Sequence, residues 1–432
     1  MTNETVEQMI ALLKTPELCD LRRLADEHPL PWAEFVKLKE PAGITQGQAW
    51  DILNTLRRQT AIELPFRDGE GRCGWYYPTR SIEADLDEID KRCHAGSLLD
   101  LAIKSRNTTY FLIEAHVADA ITIVQEDGLA IGYEKAREVL LGEREPENSG
   151  ERLLLNGHQA IWDLDDYAER PCTPELIFEM YEKISKGVDD QTTPSRVQQS
   201  LNWKRKRLDS LAALSLVAKL VEENREGYDE HPLLLGMAVR HIVMSTLPLP
   251  SWNGTMYSLL MKLLFKKSHL PVLAFVPLVK TCREWESGIL RPPSVMASLA
   301  DSEVLIGNEV DYTIYVGVMA HLARQRLDEV ENELKRVIKR DEAFVQALRD
   351  DVEINHRQRA VLQVALSNPE AVFKIESHQM MHKVAYATAR ADLLKLAELG
   401  FLRCVRSRRA FEFRVTPGLR QLLMDHAKDE ES

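Results

Sequence analysis

Apolar positions recur at three- and four-residue steps along most of this chain, the spacing that buries one face of an α-helix. Near the N-terminus MTNETVEQMIALLKT and GQAWDILNTLRRQTAIEL carry it. The stretch FRDGEGRCGWYYPT then sets Asp68, Gly69 and Gly71 between apolar flanks, which predicts a hairpin or short turn. Residues 1–80 thus form a small mixed α+β module, with Trp32, Trp50 and Trp75 its expected core. From 81 to 345 the pattern is helical, from SIEADLDEIDKRC through YFLIEAHVADAITIV, PELIFEMYEKISKG and LAALSLVAKLVEE to PLLLGMAVRHIVMST and TMYSLLMKLLFKK. GEREPENSGERL breaks it and predicts an exposed loop. The longest helix is expected over 312–349, where Leu327, Val330, Leu334, Val337 and Leu348 form an apolar stripe with charges opposite.

Residues 346–425 change character. INHRQRAVLQVALSN is helical, and KIESHQMMHKVAYATARADLLKLAELG reads as two helices parted by a turn near His382. FLRCVRSRRAFEFRV alternates with period two around a polar Arg406–Arg409 turn. Helix, helix–turn–helix and hairpin is the order of a winged helix. Residues 426–432 are a charged tail. The fold class is mainly α, a helical core carrying the N-terminal mixed module and a C-terminal winged-helix domain.

The 432 residues suffice for two or three domains of about 100–200 residues each. With 44% hydrophobic and 28% charged residues the chain is neither disordered nor of low complexity. No run approaches the roughly 20 apolar residues of a membrane span, and MTNETVEQMI lacks the basic-then-apolar order of a secretory leader. The six cysteines include no C-x-x-C pair, which fits reduced thiols in a cytoplasmic protein and neither a disulfide frame nor a metal site. The net charge of −12 excludes indiscriminate coating of nucleic acid. Between Lys383 and Arg420, however, nine basic side chains face three acidic ones, a surplus of six. Such a local surplus is what phosphate contact requires. Lys383, Tyr386, Thr388 and Arg390 fall at the start of the second helix of the helix–turn–helix, the part that enters a groove, and Arg406, Arg408 and Arg409 lie on the wing. The alternative role of the same 354–424 unit is docking of a protein partner or a second copy of the chain. A second basic run, Lys204 to Arg207, reads as a solvated helix start.

One central stretch carries a recognisable layout. HPLLLGMAVRHIVMSTLPLPSWNGTMYSLLMKLLF is an apolar helix, a Pro-rich loop, an Asn-Gly turn and a second apolar helix. It resembles the Fic family, whose members place HPFx(D/E)GNGRxxR between two core helices. The matching run is Leu247-Pro248-Leu249-Pro250-Ser251-Trp252-Asn253-Gly254-Thr255-Met256-Tyr257-Ser258. WYYPTRSIEADLDEI, NGHQAIWDL and the C-terminal RQRAVLQVAL…TARADLLKLAELGFL resemble the segments that flank the motif in such proteins, so the resemblance spans roughly residues 75–420.

The resemblance implies transfer of AMP, or another phosphate-containing group, from a nucleotide to a protein hydroxyl. The residues present do not suit it. Leu247 stands where a histidine takes the proton from the attacking hydroxyl. Ser251 replaces the carboxylate that holds Mg²⁺, and Trp252 a glycine that lets backbone N–H groups approach phosphate. Thr255 and Ser258 replace two arginines that offset phosphate charge. Only Pro248, Asn253 and Gly254 remain, enough for a turn and a helix start at Asn253–Gly254 that could hold a phosphate-containing ligand. Family members often carry an inhibitory (S/T)xxxE(G/N) helix; the nearest match, Tyr110 to Ala115, keeps Glu114 alone, and its partner position is the uncharged Ser258. His231 and His241 are expected to be structural. No catalytic residue and no metal set is assigned. The expectation is a degenerate, non-transferring protein of this family, acting as a DNA- or partner-binding regulator without a cofactor. Two alternatives stand beside it: a divergent transferase, to which alone ATP and Mg²⁺ belong, and an antitoxin-like or scaffold partner of another protein.

Overall fold

Helix α1 (Pro16–Glu27), the single turn α2 (Trp32–Phe35) and helix α3 (Gln46–Gln59) pack around Leu18, Leu21, Phe35, Ala49 and Leu53 in a computed structural model of the chain. The structure describes residues 15–41, 43–67, 71–104, 109–140, 144–188, 203–223, 230–290, 304–306, 308–350, 354–367, 371–406, 411–419 and 422. Thr45 starts α3 with a capping box, its hydroxyl accepting from the Gln48 N–H while the Gln48 side chain accepts from the Thr45 N–H. The three tryptophans do not share one core, contrary to expectation. Trp32 is 42% exposed, stacks on Phe35 and meets Trp50 edge-on at the rim, whereas Trp75 lies fully buried in a strand.

The hairpin forms, β1 (Ile62–Arg67) pairing antiparallel with β2 (Cys73–Tyr76). It belongs to a larger sheet. β2 also pairs, in parallel, with β4 (Glu309–Asp311), and β3 (Val304–Ile306) closes the order β1-β2-β4-β3. Three-residue strands are too short for a period-two pattern to register, so β3 and β4 leave no signal in the sequence. Arg58 of α3 ties the sheet by forking onto Glu309, at 2.6 and 2.9 Å, and reaching Glu63 at 2.7 Å.

The helical body follows in α4 (Arg80–Cys93), α5 (Leu98–Lys104), α6 (Thr109–Glu126), α7 (Tyr133–Leu140), α8 (Ser149–Trp162), α9 (Leu164–Ala168) and α10 (Pro174–Ser185). It continues in α11 (Trp203–Glu223), α12 (Pro232–Thr246), α13 (Asn253–Lys267), α14 (Leu278–Glu286) and the long α15 (Thr313–Asp350). The expected exposed loop at 142–153 is shorter than predicted. Asn148 caps α8 by accepting from the Glu151 N–H at 3.0 Å, and both Glu151 and Leu153 are buried. Helix α13 is the axis of this body: every residue from Asn253 to Phe265 is buried. Gly236 lets α12 come close to it, since a Cβ there would meet Met261 at 2.8 Å. In α15, Leu327, Val330 and Leu334 are buried; the side chains of Val337 and Leu348 lie outside the described ones.

The chain divides into two compact units. One comprises Met1–Asp100, Ala115–Ala136 and Pro146–Val330, and the other Leu101–Glu114, Arg137–Glu145 and Glu331–Ser432. In the second unit α16 (His356–Ser367), β5 (Val372–Lys374), α17 (Ile375–His382) and α18 (Tyr386–Glu398) precede β6 (Leu402–Arg406) and β7 (Phe411–Val415). The antiparallel sheet runs β5-β7-β6 and, with the helices, encloses Leu362, Leu393, Leu396, Phe401 and Phe413. Strand β5 is an addition to the sequence expectation. The turn between α17 and α18 falls at Lys383, whose φ of 52° is left-handed. Among the described residues no helix is long and apolar enough to cross a membrane.

Candidate functional site

The loop from 247 to 252 is bracketed by two left-handed residues that are not glycine. Leu247, at φ 44°, ends α12, and Trp252, at φ 55°, precedes α13. Such conformations cost of order 1–3 kcal/mol each and persist where surroundings over-determine them. Here the surroundings are visible. The Trp252 side chain is 1% exposed, and Asn253 turns back to clamp the loop, its amide accepting from the Leu249 N–H and donating to the Leu249 carbonyl, both at 3.1 Å. Asn253 therefore serves its own loop.

The start of α13 presents two backbone N–H groups, and a side chain of the protein already binds them. Asp127, one residue past the end of α6, accepts from the Gly254 N–H and the Thr255 N–H, each at 2.8 Å, and from the Thr255 hydroxyl at 2.6 Å. A carboxylate at a helix N-terminus satisfies orphan donors and complements the helix dipole. Burial pushes the Asp127 carboxyl above its ordinary value, while the Thr255 and Gly254 donors pull the other way. Gly254 is what admits it, because a Cβ there would lie 3.0 Å from Asp127 Oδ1. The preceding residue, Glu126, accepts from the Tyr257 hydroxyl, and Arg240 Nη2 stands 3.6 Å from its carboxylate. Two consecutive acids thus fasten the end of α6 to the first turn of α13.

The remaining positions are engaged, apolar or buried. Ser251 shares a 2.6 Å hydrogen bond with Tyr181. Leu247 is 37% exposed and Ser258 is buried. Glu114 falls within α6, and its side chain lies outside the described ones. The two histidines near this loop are held in structural contacts. His231 Nδ1 accepts from the Leu233 N–H at the start of α12, which leaves Nε2–H to donate to Asp90 at 3.0 Å, and His241 stacks on Phe66 with ring centroids 4.2 Å apart. Among the described residues no cluster of three or more His, Cys, Asp or Glu could hold a metal ion. Asp127 was missed in the sequence. Its only signal is the Asp-Gly pair that ends a helical run, which reads as a turn rather than a ligand.

In the second unit Lys383, Tyr386 and Arg390 are exposed on the turn and first turns of α18, while Thr388 is half-buried. Arg390 lies over the Phe411 ring, 5.8 Å from its centroid. Arg408 and Arg409 fall outside the described residues, as does the side chain of Arg406; so do the side chains of the Lys204–Arg207 run in α11. Asp392, 4% exposed, holds α18 in place. It receives Arg357 through Nε at 2.7 Å and Nη2 at 3.1 Å, the Asn355 amide at 2.8 Å and His378 Nε2 at 3.2 Å.

The chain matches no family model and no curated protein in sequence comparison.

Proposed function

We propose that the chain is a Fic-like protein without transfer chemistry, and that it acts as a DNA-binding regulator through a winged helix at residues 354–424. The observation that carries the first half is the Asp127 carboxylate on the Gly254 and Thr255 N–H groups, which are the donors a nucleotide phosphate would need. With Leu247, Ser251, Thr255 and Ser258 supplying neither base, metal ligand nor cation, no group remains there to handle a triphosphate. For the second half the support is the element order and sheet order of the second unit, together with Lys383, Tyr386 and Arg390 exposed at the start of α18 inside a basic segment. The partner is duplex DNA, and the protein needs neither ATP nor Mg²⁺.

Fluorescence anisotropy with duplex DNA over a salt series tests this. Binding weakens with salt, and Lys383→Ala or Arg390→Ala each lowers the salt slope by about 1. Incubation with labelled ATP and Mg²⁺ leaves protein and lysate unlabelled. Labelling of either would return the transferase reading. A second reading is favoured by Met380 and Met381, 74% and 73% exposed at the end of α17, which suit a protein partner better than phosphate. Absence of DNA binding at low salt would select it.

A further inference from the structure

A small cavity of about 30 Å³ lies along α13, one turn from the Asp127 contact. Its walls are apolar, from Ile123 and Val124 of α6, Leu153 and Leu154 of α8, and Leu259 of α13. One end is polar and holds a charged couple. Asp119 of α6 and Lys262 of α13 are 1% and 2% exposed. Asp119 Oδ1 accepts from the Lys280 N–H at 2.9 Å, but Oδ2 has no hydrogen-bond partner among the described residues. Lys262 Nζ donates to the Ala274 carbonyl at 2.8 Å and stands 3.8 Å from Asp119 Oδ2, beyond direct hydrogen bonding. A buried carboxylate oxygen left unmet beside an ammonium it does not reach is costly.

The occupant that repairs this must donate to Asp119 and accept from Lys262, which is the chemistry of a hydroxyl. We propose that the cavity is a binding site for a small hydroxyl-bearing molecule that bridges Asp119 Oδ2 and Lys262 Nζ. By volume it takes about two waters, at roughly 10–15 Å³ of such space each. The apolar walls also suit the alkyl part of a short alcohol. Burial pushes the Asp119 carboxyl up and the Lys262 ammonium down, so the bridge supports charges that the site otherwise resists. The bridge is made by Asp119 and Lys262, so it rests on neither the DNA reading nor the transfer reading, although Thr255, which Asp127 binds, also lines the cavity.

Water magnetic relaxation dispersion on the full chain counts long-lived internal waters. Ser258, which lines the cavity, supplies the variants. Ser258→Val fills the space without touching the charged couple and removes the signal of one or two waters, whereas Ser258→Ala leaves the space and retains it. If Ser258→Val does not fold, Leu259→Phe fills the same cavity from the next position. In a second arm, propanol is titrated into the wild-type chain. Displacement of the long-lived waters assigns the site to short alcohols, and no displacement assigns it to water. Equal water counts in wild type and filled variants, with no propanol bound, overturn the proposal.

Discussion

Asp127 and Thr255 are joined twice, once through the Thr255 backbone N–H and once through its hydroxyl, both to Asp127 Oδ2. Thr255 is therefore half of an internal cap, and the other half is the acid just past the end of α6. Asp127→Ala leaves two buried N–H groups and a hydroxyl without an acceptor. The expected cost is about 3 kcal/mol, at the upper end for a lost buried acceptor because several donors share it. Asp127→Asn, which keeps one acceptor oxygen, costs about half as much. Urea denaturation reads both. Inorganic phosphate added to Asp127→Ala restores part of the loss by occupying the vacated donors, and leaves the wild type unchanged. An equal response of both proteins to phosphate would mean that the cap does not close the helix start.

Trp252 combines backbone strain with complete burial, at φ 55° and 1% exposure. Trp252→Gly relieves a left-handed conformation worth about 1 kcal/mol. It also empties the space of an indole, which in cores costs about 3–5 kcal/mol for Trp→Ala. The cavity effect is larger, so the variant is destabilised by about 2–4 kcal/mol. A Trp252→Gly protein as stable as wild type would contradict the burial.

Acid should weaken the fold through His158. This residue lines the cavity beside α13, and burial pushes its imidazole from 6.5 down to about 4. The unfolded chain takes up that proton first, so stability is full above pH 6.5, falls as the pH drops through the window from 6.5 to about 4, and levels off below it. The loss attributable to this group at pH 4.5 is about 2 kcal/mol. His158→Gln removes that increment. Buried Asp119, Asp127 and Asp311 are raised by burial and act in the opposite sense, so the comparison of slopes between wild type and variant, not the raw slope, isolates His158.

The helices were legible because their apolar faces are long and their starts carry Thr, Asn or Pro at the cap, as at Thr79, Asn148 and Thr173. The hairpin was legible from its turn residues. Strands β3, β4 and β5 were not, since three residues carry no periodicity and their pairing partners lie up to some 240 residues away in sequence, as Cys73 does from Glu309. The candidate site was half legible. The loop and the Asn-Gly helix start could be read from residue types alone, but the acid that fills the helix start lies 127 residues from Gly254, and only the packing of α6 on α13 brings it there. The misplaced tryptophans have a similar cause: Trp75 is buried by a sheet whose other half was invisible.

Asp392 gives the sharpest test of the second unit. Burial resists ionisation of its carboxyl, yet bonds from Arg357, Asn355 and His378 overcome that and hold it below the ordinary carboxylate range. The sign follows: its contribution is present above an unfolded value near 3.8 and is lost as the pH falls through the lower folded one. Because α16, α17 and α18 each supply or receive one of these bonds, removing the acid uncouples three helices at once. Asp392→Ala is expected to cost about 3–5 kcal/mol, since it leaves the Arg357 guanidinium partly buried and unpaired. Asp392→Asn keeps the Asn355 and Arg357 geometry in part and costs less. If the start of α18 is the DNA-reading element, Asp392→Asn weakens DNA binding while Lys383 and Arg390 are untouched, and it does so with an unchanged salt slope. A lowered salt slope in that variant would instead place Asp392 among groups that alter phosphate contact directly.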